Sequence, residues 1–156
     1  MLKEILSPKT CAECRLCCGF DCTDLWELPV LPAETVEAVR RRDSAVTLTA
    51  AGEEQTFTPP ELREGEIYIC PMLGESGCTM GEEKPFDCKI WPFRMMQDET
   101  GALRIAVASY CPGMEQYTEE QLRDFLSQGL AQRILDYAKA HPSHVKPFSA
   151  QYRMIW

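Results

Sequence analysis

The sequence predicts an α+β fold, a small single domain in which irregular cysteine-rich loops carry a short hairpin and a C-terminal helix. Three observations predict it. Leu103, Ile105 and Val107 alternate with Arg104, Ala106 and Ala108 behind the turn-forming run Asp98-Glu99-Thr100-Gly101, as one arm of a hairpin would. Leu122, Phe125, Leu126, Leu130, Ile134, Tyr137 and Ala138 recur near helical spacing. Nine cysteines in 156 residues crowd positions 11–22 and return at 70, 78, 88 and 111, among Gly, Pro and charged residues that break regular elements.

The elements follow in order. After the cysteine-dense opening, Pro32 introduces a short helix through Arg42, with Val36 and Val39 three apart on one face. Val46 to Thr49 reads as a short strand, and Ala51 to Glu66, polar and carrying Pro59-Pro60, as mainly loop. Ile67-Tyr68-Ile69-Cys70 forms a strand that Pro71 ends. Arg94 to Gln97 and Leu103 to Ser109 pair as the hairpin, with one side of the second arm buried. Thr118 and Gln121 form a capping box for the C-terminal helix, which His141-Pro142 stops. Gly129 weakens that helix by about 1 kcal/mol relative to Ala. The tail from Phe148 to Trp156 docks on the domain through its apolar residues, and His141 and His144 lie in a solvated loop.

The totals exclude several classes. A net charge of -8 argues against a general nucleic-acid binder, because phosphate affinity rests on surplus Lys and Arg. No apolar run reaches the roughly 20 residues that span a bilayer. Residues 1–10 hold no apolar stretch of signal-peptide length, so the expected compartment is the reducing cytoplasm. No nucleophile elbow or phosphate-binding glycine loop is present, and no carboxylate pair stands out, so no catalytic constellation is visible.

In a reducing compartment this density of cysteine points to metal or redox chemistry rather than to a disulfide framework. Cys11, Cys14 and Cys17 stand three apart, a spacing whose thiolates can converge on one centre from a tight loop or helical turn. Zinc accepts such pairs as readily as iron–sulfur clusters do. Cys18 adds a constraint, since neighbouring side chains diverge and Cys17 and Cys18 do not easily ligate one mononuclear metal. More than four ligands are therefore expected. Cys70-Pro71 and Cys111-Pro112 place Pro after Cys, as bacterial ferredoxins do, and Cys78 and Cys88 flank the turn from Glu82 to Pro85. A thioredoxin-like site is disfavoured because Cys11-x-x-Cys14 has no βαβ pattern around it.

Cys11-x-x-Cys14-x-x-Cys17-Cys18, Cys70-Pro71-x-Leu73, Gly77-Cys78, Lys84-Pro85-x-x-Cys88 and Trp91-Pro92 together resemble the YkgJ-type cysteine cluster family, a zinc- or iron-chelating domain with a CxxCxxCC signature. The likeness covers about residues 11–112. It implies the ligand set Cys11, Cys14, Cys17, Cys18, Cys70, Cys78, Cys88 and Cys111, with Cys22 spare. The chain departs from the family at Lys84 and Lys89, where Arg is usual, and so lacks the planar guanidinium fork at both places. Related domains occur in flagellin lysine methylases, which implies an accessory role beside a methyltransferase as one further alternative.

The expectation is thus one domain over residues 1–156, with a metal-binding cysteine cluster at 11–112 and a helix and tail at 113–156. One or two thiolate centres are expected. Iron–sulfur with a redox or accessory role and an unknown protein or redox partner comes first, on the Cys-x-x-Cys-x-x-Cys run and the Cys-Pro pairs. Structural or chelating zinc, held in four-thiolate sites, is the alternative. Trp91-Pro92-Phe93 is expected to wall the metal region.

Overall fold

Closely spaced prolines, glycines and cysteines keep most of this chain in short elements. The computed structural model describes Leu2 and residues 4–156, and its architecture is α+β, with helices beside small antiparallel sheets. The expectation for residues 1–10 rests partly on Met1 and Lys3, which lie outside the described residues. The chain divides into two compact units, one of residues 8–89 and one that joins residues 1–7 to 90–156. The division at Lys89 falls inside the stretch 11–112.

The unit of residues 8–89 contains α1 (Pro8–Cys14), β1 (Gly19–Phe20), α2 (Ala33–Arg42), β2 (Leu48–Ala51), β3 (Glu54–Phe57), β4 (Tyr68–Ile69), β5 (Leu73–Gly74), β6 (Gly77–Cys78) and nearly all of α3 (Phe86–Ile90). Its strands form three two-stranded antiparallel ribbons, β1–β4, β2–β3 and β5–β6. Such ribbons are marginal alone and need a core. Phe20, Leu28, Leu31, Ala38, Val39, Val46, Phe57, Met72 and Met80 supply it, with Cys70 and Cys78 packed against its edge. Within α2, Ala38 and Val39 are fully buried, while Arg40, Arg41 and Arg42 occupy the last turn, where the helix dipole favours cations. Arg41 and Arg42 both pair with Glu83, and Arg42 Nε donates to the Thr79 carbonyl at 3.1 Å.

The reading of Ala51 to Glu66 as loop is corrected at its start, where Glu54–Phe57 is a strand in register with β2. Tertiary support outweighs its polar composition. Phe57 is buried opposite Leu48, Thr56 Oγ1 donates to the Pro29 carbonyl at 2.9 Å, and Gln55 bridges to Leu31.

In the other unit, β7 (Phe93–Gln97) and β8 (Leu103–Ala108) form the expected hairpin, with Phe93 opposite Val107 and Gln97 opposite Leu103. Asp98 organises its turn. Its Oδ1 accepts from Thr100 and Ala102 and its Oδ2 from Arg104 Nε at 2.8 Å, and the Thr100 side-chain bond leads the effects that hold its carboxyl down to about 2. Both faces of β8 are buried from Ile105 to Ala108, not one. Phe93 stacks on Phe125 of α4 (Glu119–Phe125), so helix covers the Phe93–Val107 face. On the opposite face the Arg94 guanidinium lies 4.6 Å from the Trp91 ring centre, and Tyr110 and Tyr152 close around the same ring.

The chain beyond α4 continues through a distorted turn, Leu126–Leu130, into α5 (Ala131–Ala140). The capping box of Thr118 and Gln121 is present in both directions. After α5 the chain flanks the hairpin on both edges. Lys146 bridges to Met96 of β7, and β9 (Tyr152–Met154) pairs antiparallel with β8, which docks the tail. The solvated reading of His144 is corrected. The turn Pro142–His144 folds it back under α5, where it is fully buried, edge-on to Tyr137 with ring centres 5.2 Å apart.

Gly129 also differs from expectation. It has φ +106° and divides the expected helix, with α4 on one side and α5 on the other. The backbone there is left-handed, which costs a residue bearing a Cβ about 1–2 kcal/mol. Helix propensity alone would have Gly129→Ala stabilise the protein by about 1 kcal/mol. A Cβ at Gly129 would touch nothing within 4 Å, so backbone strain decides the sign. Gly129→Ala is expected to destabilise by about 1–2 kcal/mol in chemical denaturation, and Gly129→Asn by less.

Candidate metal centre

Two segments far apart in sequence meet through backbone pairing. α1 carries Cys11, half-buried, and Cys14, exposed. Arg15 then turns left-handed and ends the helix, and a single 3-10 turn, Leu16–Cys18, presents Cys17 and Cys18. β1 follows at once and pairs with β4, Gly19 opposite Ile69 and Phe20 opposite Tyr68. The ribbon is extended at the cysteine end by a 2.8 Å hydrogen bond from the Cys70 N–H to the Cys18 carbonyl. The backbones of Cys18 and Cys70 are therefore direct neighbours.

Beyond Cys70 the chain reverses tightly. The Leu73 N–H donates back to the Cys70 carbonyl at 2.9 Å, and β5 turns into β6 so that Cys78 stands opposite Leu73. The Thr79 N–H and hydroxyl both donate to the Met72 carbonyl, at 2.8 and 3.0 Å, which closes the base of this hairpin. Cys70, Cys78 and Cys17 are close enough for their charges to interact. The Sγ atoms of Cys17 and Cys18 lie 3.9 Å apart.

That last distance revises the argument that adjacent cysteines diverge. Side-chain rotation in the 3-10 turn brings the two sulfurs together although their Cα–Cβ bonds point apart. Two sulfurs each about 2.3 Å from one tetrahedral zinc are about 3.8 Å apart, so the pair fits one edge of such a site. No three cysteine sulfurs lie mutually within 4.8 Å among the described residues. One close pair is therefore present, and no third thiol stands within that distance of both its sulfurs. Soft thiolate donors of this kind suit zinc and iron–sulfur alike.

The other expected ligands are distributed as follows. Cys88 sits half-buried in α3, its N–H bonded to the Pro85 carbonyl at 3.0 Å. Cys111 belongs to the unit of residues 90–156, where it is buried at the start of the turn Pro112–Met114. Cys22 is exposed beside the turn that Asp21 makes with Thr23 and Asp24. No disulfide joins any two of the nine cysteines. Arg15, which motif reading passed over, belongs to this neighbourhood beside Gly77 of the Gly77-Cys78 motif. Arg15 bonds from its side chain to the carbonyls of Ala12 and Glu75, and Gly77 lets β6 approach α1.

Electrostatics here oppose ionisation in the absence of a cation. Burial pushes the Cys70 thiol up to about 11, and the charges of Cys78 and Cys17 add to it against a backbone hydrogen bond from Met72. Burial likewise raises the Tyr68 hydroxyl to about 12, with the charge of Cys70 adding. A bound metal inverts this balance, since a coordinating thiol is deprotonated outright. Comparison of the chain with protein-family models, with curated proteins and with solved structures finds no match. The arrangement of the thiols therefore carries the functional reading.

A group whose folded pKa is raised stabilises the fold fully below its unfolded value and loses that contribution as pH rises through the folded one. For Cys70 the window runs from its ordinary value of 9.0 to about 11, and Tyr68 extends it to about 12. Metal-free protein is expected to lose stability steadily from about pH 9 upward, followed by denaturation at fixed pH steps. At pH 7 the thiolate fraction of Cys70 is on the order of 10⁻⁴. Mass-spectrometric mapping of alkylation should find exposed Cys14 and Cys22 modified first and Cys70 among the last.

Proposed function

We propose that this chain is a metal-binding protein of the YkgJ-type cysteine cluster kind, whose thiolates hold one or two centres, iron–sulfur in the first reading. The observation that supports it is the meeting of Cys17, Cys18, Cys70 and Cys78, brought from two separate segments by the β1–β4 ribbon and the β5–β6 turn. A cluster of buried or half-buried thiols is costly to ionise and has little value to a core that could hold Val or Ala instead. A cation repays that cost. The proposed ligands are Cys11, Cys14, Cys17, Cys18, Cys70, Cys78, Cys88 and Cys111.

An iron–sulfur centre would supply one-electron transfer, at a potential set by burial and by hydrogen bonds to its sulfurs. The protein's part is to hold the thiolates and limit water. Met72 and Met80, both buried, and half-buried Tyr68 provide apolar surroundings on the core side. A redox or accessory role with a protein partner follows from such a centre. Among the described residues no helix is long and apolar enough to cross a membrane.

Zinc is the second reading, and the 3.9 Å separation of the Cys17 and Cys18 sulfurs favours it, as the edge of a mononuclear tetrahedron. The protein would then be a structural or chelating module.

Metal and acid-labile sulfide in protein purified without oxygen, together with its visible spectrum, separate these readings. Iron with sulfide and a colour that bleaches on reduction is the expected result. Cys18→Ser and Cys70→Ser should each lose metal, while Cys22→Ser keeps the wild-type content. Zinc without sulfide or colour would replace the first reading by the second. Absence of any metal would sink both, and loss of metal in Cys22→Ser would overturn the ligand assignment.

A further inference from the structure

Arg15 is the sole residue other than glycine with positive φ among those described, at +56°. It stands just after α1, where glycine is the usual residue because a Cβ strains the left-handed backbone. The position does the ordinary work of a helix end, since the Arg15 N–H caps the Cys11 carbonyl at 3.0 Å. Glycine would do that without strain. What glycine lacks is the side chain, and here the side chain spans two elements. Nε donates to the Ala12 carbonyl at 3.1 Å, on the helix, and Nη2 donates to the Glu75 carbonyl, in the turn between β5 and β6.

A second contact joins the same two elements. Gly77, with φ +104°, lies so close to α1 that a Cβ placed on it would stand 3.3 Å from the Ala12 Cβ and 3.6 Å from its Cα. Ala12 lies between Cys11 and Cys14 on the helix, and Gly77 immediately precedes Cys78. Cys11 and Cys14, three apart, share one side of the helix. Both acceptors of the Arg15 fork are backbone carbonyls, so the contact reads the path of the chain and not the identity of a side chain.

We propose that Arg15 and Gly77 form a latch that seats α1 on the β5–β6 turn, and that this latch makes the thiols of α1 and Cys78 serve a common centre. The assignment rests on the metal-binding reading and goes beyond it, by stating which segments share ligands and naming a residue that positions them. Arg15 is a positioning residue and is not itself a ligand. The planar fork is essential, because a lysine ammonium cannot hold two divergent carbonyls in fixed geometry.

The test uses the full chain and two readouts. In metal-free protein, NMR should show a contact between the Ala12 methyl and the Gly77 α-protons in wild type. That contact should be lost in Arg15→Gly, which removes the fork and relieves the backbone strain, so the variant keeps its fold. Zinc(II) alone is the second probe, competed against a chromogenic chelator. Arg15→Gly and Arg15→Lys should each weaken zinc binding by roughly tenfold or more, and Gly77→Ala should do so by forcing the helix away. Wild-type affinity in Arg15→Lys would show that charge suffices and overturn the fork. Retention of the Ala12–Gly77 contact in Arg15→Gly would overturn the latch. If wild type binds neither zinc nor, on anaerobic reconstitution with iron(II) and sulfide, a cluster, the common centre falls with the metal reading, and the NMR contact alone then decides the latch.

Discussion

The backbone hydrogen bond from Cys70 to the Cys18 carbonyl, with the two residue pairs of β1 and β4 behind it, is the constraint on which the candidate centre depends. Two residue pairs cannot hold a ribbon in water unaided. Phe20 makes this one hold. Its strand position puts it opposite Tyr68, and its side chain is buried with Met72 and Met80, which flank the β5–β6 hairpin. The same apolar cluster therefore fixes the ribbon and the hairpin, and Cys18, Cys70 and Cys78 inherit their relative positions from it. Packing in this unit therefore sets the relative positions of these three thiols.

Charge works against that geometry. Burial at the edge of a core raises the Cys70 thiol, and the charges of Cys78 and Cys17 add to it, while burial raises the Tyr68 hydroxyl with the charge of Cys70 adding. The nearby cations are largely engaged elsewhere, since Arg41 and Arg42 pair with Glu83 and Arg15 donates to carbonyls. A net charge of -8 makes the surrounding field less hospitable still. A site so built tolerates neutral thiols or thiolates on a cation, and little between.

Local signals were readable in the sequence where one element decided its own form. The Thr118–Gln121 box, the alternation about Asp98-Glu99-Thr100-Gly101 and the helix after Pro32 needed only neighbours a few residues away. Gly129 escaped because Leu122, Leu126 and Leu130 keep the helical spacing across the break, so periodicity sees no interruption. β3 escaped because Glu54-Gln55-Thr56-Phe57 holds a single apolar residue, and its strand is secured by Pro29, Leu31 and Leu48 from outside. The burial of His144 depends on how the chain turns after α5, which no spacing rule encodes. The cysteine spacings singled out the candidate ligands, but Arg15 looked like an ordinary charge between them. Its role is visible only once Glu75 and Gly77 are in place.

Metals often stabilise small folds by closing loops, and the gain grows with loop length. Between Cys18 and Cys70 that gain is small, because the β1–β4 ribbon already closes the long loop. What a bound metal would add there is relief of the desolvated Cys70 thiol. At α1 loop closure matters more, since the β5–β6 turn meets that helix through an arginine fork and a glycine approach. A metal shared by α1 and Cys78 would reinforce that contact. A zinc tetrahedron would demand a close approach on all six edges, of which the Cys17–Cys18 pair supplies one. The close pair at Cys17 and Cys18 marks where either metal would first attach.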